Sequence, residues 1–226
     1  MYLCSFVNGG MFPCLPTVSV ILIPMTIRAI IFDLGGVLLR TADFTPREHL
    51  AARMGMTRRE LEELIFGGES GNRAQAGEIT ARQHWENLRL RLNYSPEQFE
   101  AFINEFFGCD ELDGELVDYV RELHKDHRTA LLSNAWDDLR QVIAERWHFE
   151  DAFDSIIISA EVGLVKPDPR IYHLALECLG VEAGQAVFVD DFQRNVEAAQ
   201  EVGLHGIHFQ SPQQIRLELE QLLNGH

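Results

Sequence analysis

Six side chains in this sequence have the types and spacing to do chemistry together: Asp33, Ser133, Asn134, Lys166, Asp190 and Asp191. Each falls at, or just beyond, the end of a short apolar run that reads as a β-strand. Asp33 follows Arg28 to Phe32 and precedes Leu34-Gly35-Gly36. Ser133-Asn134 follows Arg128 to Leu132, Asp190-Asp191 follows Ala186 to Val189, and Lys166 lies in the loop beyond Ser155 to Ile158. Singly, each has an ordinary structural reading. An acid at a strand end caps a turn, Ser-Asn caps a helix, a lysine before Pro167 is a solvated loop charge, and an Asp pair opening a helix suits the helix dipole. Jointly they describe one crevice, because open parallel sheets bind ligands beyond the carboxyl ends of their strands. Three carboxylates gathered there repel one another; ionised together they suit a hard cation with oxygen ligands, magnesium being the usual choice. The Ser133 hydroxyl and the Asn134 amide or backbone N–H can bind phosphate oxygens. Lys166 supplies positive charge against Asp33 and a transferring group, which leaves Asp33 free to attack phosphorus.

The elements that must position these groups follow from periodicity and capping. From Leu112 onward helices alternate with strands: a helix over about 114–125, the strand before Ser133, a helix over 137–147, the strand 155–158, a helix from Pro169 closed by Gly180, the strand before Asp190, a helix closed by Gly203, a strand over 206–209 and a helix over 212–223. That alternation means an α/β fold with a Rossmann-like parallel sheet and right-handed crossovers. Between the first strand and this block the pattern is helical. Thr45-Pro46 starts a helix, and capping boxes open at Thr57, Thr80 and Ser95, each followed by apolar residues at helical spacing. Gly67-Gly68 and Gly71-Asn72 mark a loop. The expected organisation is therefore a core of residues 25–41 and 112–226, with an α-helical cap, 42–111, inserted after the first strand and hanging over Asp33. Phe44, Phe66, Glu69, Asn72, Arg73, His84 and Trp85 are the cap residues from which substrate choice would come, with Arg73 a second anion contact or a plain exposed arginine.

The segments Phe32-Asp33-Leu34-Gly35-Gly36-Val37-Leu38, Leu131-Leu132-Ser133-Asn134, Gly163 to Tyr172 and Val187 to Ala199 together resemble the haloacid dehalogenase-like hydrolase superfamily, over nearly all of Thr26 to Leu223. The helical insert, with Gly77-Glu78-Ile79-Thr80, resembles the cap of the subgroup that holds sugar phosphatases, phosphoglycolate phosphatase and the phosphatase domain of soluble epoxide hydrolases. The resemblance implies a sheet of order 5-4-1-2-3, counting core strands along the chain, and a magnesium-dependent phosphatase acting on a small phosphorylated metabolite. It implies that Asp33 is nucleophile and metal ligand, the Gly35 carbonyl a second ligand, and Asp191 the third, with Asp190 an alternative ligand or a brace behind it. Ser133 and Asn134 bind phosphate, Lys166 neutralises charge, and Asn195 orients Asp191. One departure stands out. The family's usual motif is Asp-x-Asp, and its second acid, which protonates the leaving group, is Gly35 here. Such catalysis is typically worth about 10²–10⁴-fold. A cap residue such as Glu69, Glu78 or His84 takes over, the substrate carries a good leaving group, or the protein binds phosphometabolites with little or no turnover. A haloacid dehalogenase and a phosphomutase are weaker readings: the Asp190-Asp191 pair argues against the first, and loss of the acid weakens the second.

Composition is that of an ordinary globular chain of 226 residues, 46% hydrophobic and 24% charged, with a formal net charge of −16. Such acidity makes nucleic acid and anionic membrane surfaces poor partners, since both need basic patches. Cys4, Cys14, Cys109 and Cys178 have no Cys-x-x-Cys spacing; Cys109 and Cys178 read as buried or half-buried thiols of a reducing, cytoplasmic compartment. Residues 1–24 contain no Lys, Arg, Asp or Glu and lack the basic start of a signal peptide. They are expected to be an upstream extension outside the fold, with Met25 as the working start, or else a short membrane anchor. A monomer and a homodimer are both compatible with the sequence.

Overall fold

The computed structural model describes residues 26–224; the expectations for residues 1–24 and for Met25 lie outside the described residues. Seven strands are described: β1 (Ala29–Phe32), β2 (Leu39–Thr41), β3 (Asp110–Leu112), β4 (Arg128–Ser133), β5 (Ser155–Ile158), β6 (Ala186–Asp190) and β7 (His205–His208). Five of them form one sheet of order β5-β4-β1-β6-β7, parallel throughout. Counted along the core, that is the expected 5-4-1-2-3.

β1 sits in the centre because it is apolar on both faces. Ile30 and Phe32 point into a layer with Leu116 and Val120 of helix Gly114–His124 and Ile215 and Leu219 of helix Pro212–Leu223. Ala29 and Ile31 point the other way, against Ile171, Tyr172 and Leu176 of helix Pro169–Leu179 and Ala199 of helix Gln193–Val202. The period-2 alternation of a strand thus serves two helical layers at once. Each large apolar side chain so buried contributes about 1.5–3 kcal/mol relative to exposure.

The inserted block folds around its own core of Leu50, Leu61, Ile65, Leu88, Phe99, Phe102 and Phe106. The capping boxes at Thr57, Thr80 and Ser95 are all formed. Three local features differ from the sequence reading. The glycines at 67–72 do not make a loop: Gly68–Gln75 is a helix, and Gly71 lets it pack on the preceding one, since a Cβ there would lie 2.7 Å from the Phe66 carbonyl oxygen. The cap is joined to the core by an antiparallel ribbon, β2 with β3, where helix was expected up to residue 111. The segment read as one helix over 137–147 is a single α-turn, Leu139–Val142, continued as a π-turn, Ile143–Trp147. Cys109 is half-buried, as expected, but Cys178 is exposed, lying on the solvent side of its helix. No helix among the described residues is long and apolar enough to cross a membrane.

Candidate active site

Asp33 leaves the end of β1 with its N–H bonded to the Val189 carbonyl of β6 (2.9 Å), so its position is set by the sheet itself. The chain then turns sharply. The Leu34 carbonyl accepts the N–H groups of Val37, Leu38 and Leu39 at 3.3, 2.9 and 2.8 Å. Gly36 adopts φ +77°, and a Cβ on it would stand 2.1 Å from an oxygen of Asp191. Glycine is required there twice over, for the backbone and for the carboxylate beside it. At Gly35 the opposite holds: φ is ordinary, and a Cβ would meet nothing within 4 Å.

Carboxylate oxygens of Asp33, Asp190 and Asp191 lie within 4.8 Å of one another. Lys166 reaches into this group from its loop, with Nζ 2.8 Å from Asp33 Oδ1 and 2.7 Å from Asp190 Oδ2. The lysine is only 2% exposed and Asp190 not at all, so the charges meet away from water. Their electrostatics follow from that burial. Desolvation pushes the Asp33 carboxyl up to about 7 against the pull of Lys166, and Asp190 and Asp191 add to the rise. Asp191 is raised to about 6 by burial and by Asp190. Burial works against the Lys166 ammonium too, but Asp33 and Asp190 outweigh it and hold its pKa above the ordinary value.

The two adjacent acids differ in what they have left to offer. Asp190 accepts from Lys166, from the Phe192 N–H at 2.8 Å and from Asn195 Nδ2, 3.0 Å from each oxygen. Asp191 Oδ1 is buried without a partner among the described residues. Asn195 therefore holds Asp190 and not Asp191, which corrects the sequence expectation: in the first helical turn its amide points back to the strand-end acid. Tyr172, to which the sequence reading gave no role, donates from its hydroxyl to the Asn195 carbonyl at 2.9 Å and so steadies this brace from behind. Its place inside a helix, at core spacing, gave no signal of it.

Asn134 also turns out differently engaged. Its side chain pairs with the Lys166 backbone in both directions, donating to the carbonyl at 2.9 Å and accepting from the N–H at 2.8 Å. It anchors the lysine loop, so its carboxamide is already engaged there. Ser133 lies at the end of β4, almost fully buried beside β1. Two residues that sequence reasoning passed over tie this strand end to the cap. Trp136 stacks on Phe66 with ring centroids 5.8 Å apart and meets Trp85 edge-on at 4.6 Å. Asp137 accepts the Ala81 N–H at 2.7 Å.

Of the cap residues named as substitutes for the missing acid, His84 and Glu78 are engaged elsewhere and Glu69 is exposed to solvent. His84 is fully buried, its Nδ1 2.9 Å from the Ser70 hydroxyl and its ring against Trp85 and Trp136. Glu78 pairs with Arg73 at 3.1 Å, and the Glu69 side chain is 90% exposed, 4.0 Å from the same arginine. Arg73 is thereby engaged by acids of its own cap.

The donor set fits a magnesium ion: all oxygen, mutually repelling, and including a buried carboxylate oxygen with no hydrogen-bond donor. A family model described as haloacid dehalogenase-like hydrolase matches residues 27–203. The chain is 28% identical over 204 residues to a sesquiterpene phosphatase of Aspergillus oryzae, covering 88% of this chain and 97% of that protein. It is 26% identical to a D-ribitol-5-phosphate phosphatase of Bacteroides thetaiotaomicron, covering 88% and 100%. Bifunctional epoxide hydrolase 2 of Sus scrofa is 28% identical, but the match spans only 39% of that longer protein. A crystal structure of a HAD family enzyme from Bacteroides thetaiotaomicron, in complex with magnesium and inorganic phosphate, superimposes with a TM-score of 0.67 at 23% identity, over 82% of this chain and 96% of that one. That last likeness is one of fold.

Proposed function

The chain belongs to the haloacid dehalogenase-like hydrolase family, and from that footing we propose that it is a magnesium-dependent phosphatase, cleaving a small phosphorylated metabolite through an aspartyl-phosphate on Asp33. The observation that carries this reading is the pairing of Asp33 with a buried Lys166 at 2.8 Å, inside a group of carboxylates whose oxygens lie within 4.8 Å. Asp33, Asp191 and the Gly35 carbonyl would hold the metal. Magnesium, when bound, draws charge from the phosphoryl oxygens and screens the carboxylates from an anionic substrate. Lys166 pairs with Asp33, favours its ionised form against the cost of burial, and supplies positive charge to the phosphoryl group. The Ser133 hydroxyl and the Asn134 N–H bind phosphoryl oxygens. Asp190, Asn195 and Tyr172 hold Lys166 in place. The phosphatases among the relatives support a phosphoric ester or anhydride as substrate, and a soluble cytoplasmic setting suits a small metabolite of that kind.

The test is release of phosphate by purified protein from a panel of phosphorylated metabolites with magnesium. Asp33→Asn should reduce release to background; full activity in that variant would remove Asp33 as nucleophile. A second reading, a phosphometabolite sensor, is favoured by one observation, the glycine at 35. It predicts magnesium or phosphate binding by calorimetry with no turnover on any member of the panel.

A further inference from the structure

Taking the phosphatase reading as its premise, and resting on it, we infer that the substrates are phosphoric anhydrides and esters of acidic hydroxyls, such as acyl, enol or aryl phosphates, and not phosphates of simple alcohols. The reason is that position 35, two residues past the nucleophile, carries no acid, and Lys166, Asp190, Glu78 and His84 are each engaged elsewhere. Lys166 is held by two carboxylates at 2.8 and 2.7 Å and is 2% exposed. Asp190 already accepts from Lys166, Phe192 and Asn195 and is not exposed at all. The cap acid Glu78 pairs with Arg73, Glu69 stands 90% exposed to solvent, and His84 is sealed against Ser70 and two tryptophans. Two residues past the nucleophile, Gly35 is exposed, and a side chain there would project into open space. Position 35 has room for an acid and carries none.

The consequence is set by the bond that breaks. A lone pair of an Asp33 carboxylate oxygen forms the new O–P bond. The bond from phosphorus to the leaving oxygen breaks, and its electron pair leaves with that oxygen. With no donor to protonate it, the group departs as an anion. A carboxylate, a phenolate, an enolate or a phosphate bears that charge well, and a simple alkoxide does not. Water then attacks the aspartyl-phosphate. Its oxygen bonds to phosphorus, the Asp33 O–P bond breaks with its electrons returning to the carboxylate, and the proton passes to the released phosphate or to solvent. This second step has a carboxylate as leaving group whatever the substrate. The discrimination therefore lies in the first step, which kcat/KM reports.

The experiment measures kcat/KM with magnesium for acetyl phosphate, 4-nitrophenyl phosphate, phenyl phosphate and n-butyl phosphate. The expected result is a fall in that order, with the butyl ester about 10²–10⁴-fold below the nitrophenyl ester, the range that a general acid commonly supplies. Gly35→Asp, for which the structure has space, should raise the butyl ester most and compress the series by at least about tenfold. Equal kcat/KM for butyl and nitrophenyl phosphate in the unaltered protein overturns the inference while leaving the phosphatase reading intact. Absence of phosphate release from every compound, acetyl phosphate included, overturns the reading itself. The series in the unaltered protein decides the matter even if the variant fails to fold.

Discussion

At the scale of single residues, the two adjacent glycines after Asp33 have opposite requirements. Gly36 has φ +77° and a carboxylate 2.1 Å from where its Cβ would be, whereas Gly35 has an ordinary φ and open space. Gly36→Ala should therefore cost about 1–3 kcal/mol, as strained positions do, and should weaken magnesium binding by displacing Asp191. Gly35→Ala should leave the melting temperature within the small range usual for surface changes. Thermal melts of both variants, with and without magnesium, test this, and equal losses would contradict the turn geometry. The carboxylates add a dependence on pH. With Asp33 raised to about 7 and Asp191 to about 6, the metal-free protein holds protons here that the unfolded chain, with ordinary carboxyls, does not. This site's contribution to metal-free stability is thus full below the unfolded carboxyl range, near pH 4, and is lost as pH rises through 6 to 7. A cation needs the ionised forms, so magnesium binding should release protons at pH 6 and almost none above pH 8. Calorimetry in buffers of different ionisation enthalpy measures this; pH-independent uptake would mean that the metal binds elsewhere.

At the scale of elements, specific contacts tie the insert together and join it to the core. Arg47 of the first cap helix is buried and donates to the Phe106 carbonyl at 3.0 Å and to Asp110 of β3 at 2.6 Å, so it joins both ends of the insert. Trp136 brings the loop after Ser133 into the aromatic cluster of the cap. Trp136→Ala should speed hydrogen exchange in helices Gly68–Gln75 and Ala81–Leu92 by at least about tenfold, or about 1.4 kcal/mol, while the sheet amides hold. Uniform speeding would mean that the tryptophan supports the whole fold. His84 lies in the same contact, and burial holds its pKa below the ordinary histidine value. Its neutral form is the folded one, so the cap contact should be stable above the unfolded histidine range and weaken as pH falls below it. What the sequence revealed at this scale depended on length and periodicity. Helices with capping boxes and strands of both-face apolar residues were legible. The ribbon of β2 and β3 was not, because three-residue strands have no period to read. Gly68–Gln75 was not, because glycines that permit close helix packing look the same in a sequence as glycines that end helices. At the site, residue types marked the strand ends, but the partners of Asn195 and Asn134 depended on a turn and a loop whose directions only tertiary structure sets.

At the scale of the whole molecule, the sheet gathers charge that the fold alone does not reconcile. β1, β4 and β6 stand side by side at its centre, and the ends of β1 and β6 deliver three carboxylates against a single buried lysine. A chain folded for stability alone would gain nothing from this arrangement, since uncompensated buried charge costs several kcal/mol. A ligand cation that binds only the folded state returns that stability by mass action, about 2.7 kcal/mol at one hundred times its dissociation constant. For a domain of this size, that corresponds to a rise of about 5–10 °C in melting temperature. Asp191→Asn separates a metal site from a merely structural acid, because its two effects have opposite signs. Removing one of three repelling carboxylates should leave the metal-free variant at least as stable as the unaltered protein. The same change removes the acid whose buried oxygen has no other partner among the described residues, so the magnesium-dependent rise should vanish. Melts of both proteins across a magnesium titration, with calcium and sodium as controls, measure the two effects together. If the variant instead melts well below the unaltered protein without metal and keeps the magnesium response, Asp191 is a structural brace and the cation is held by other groups.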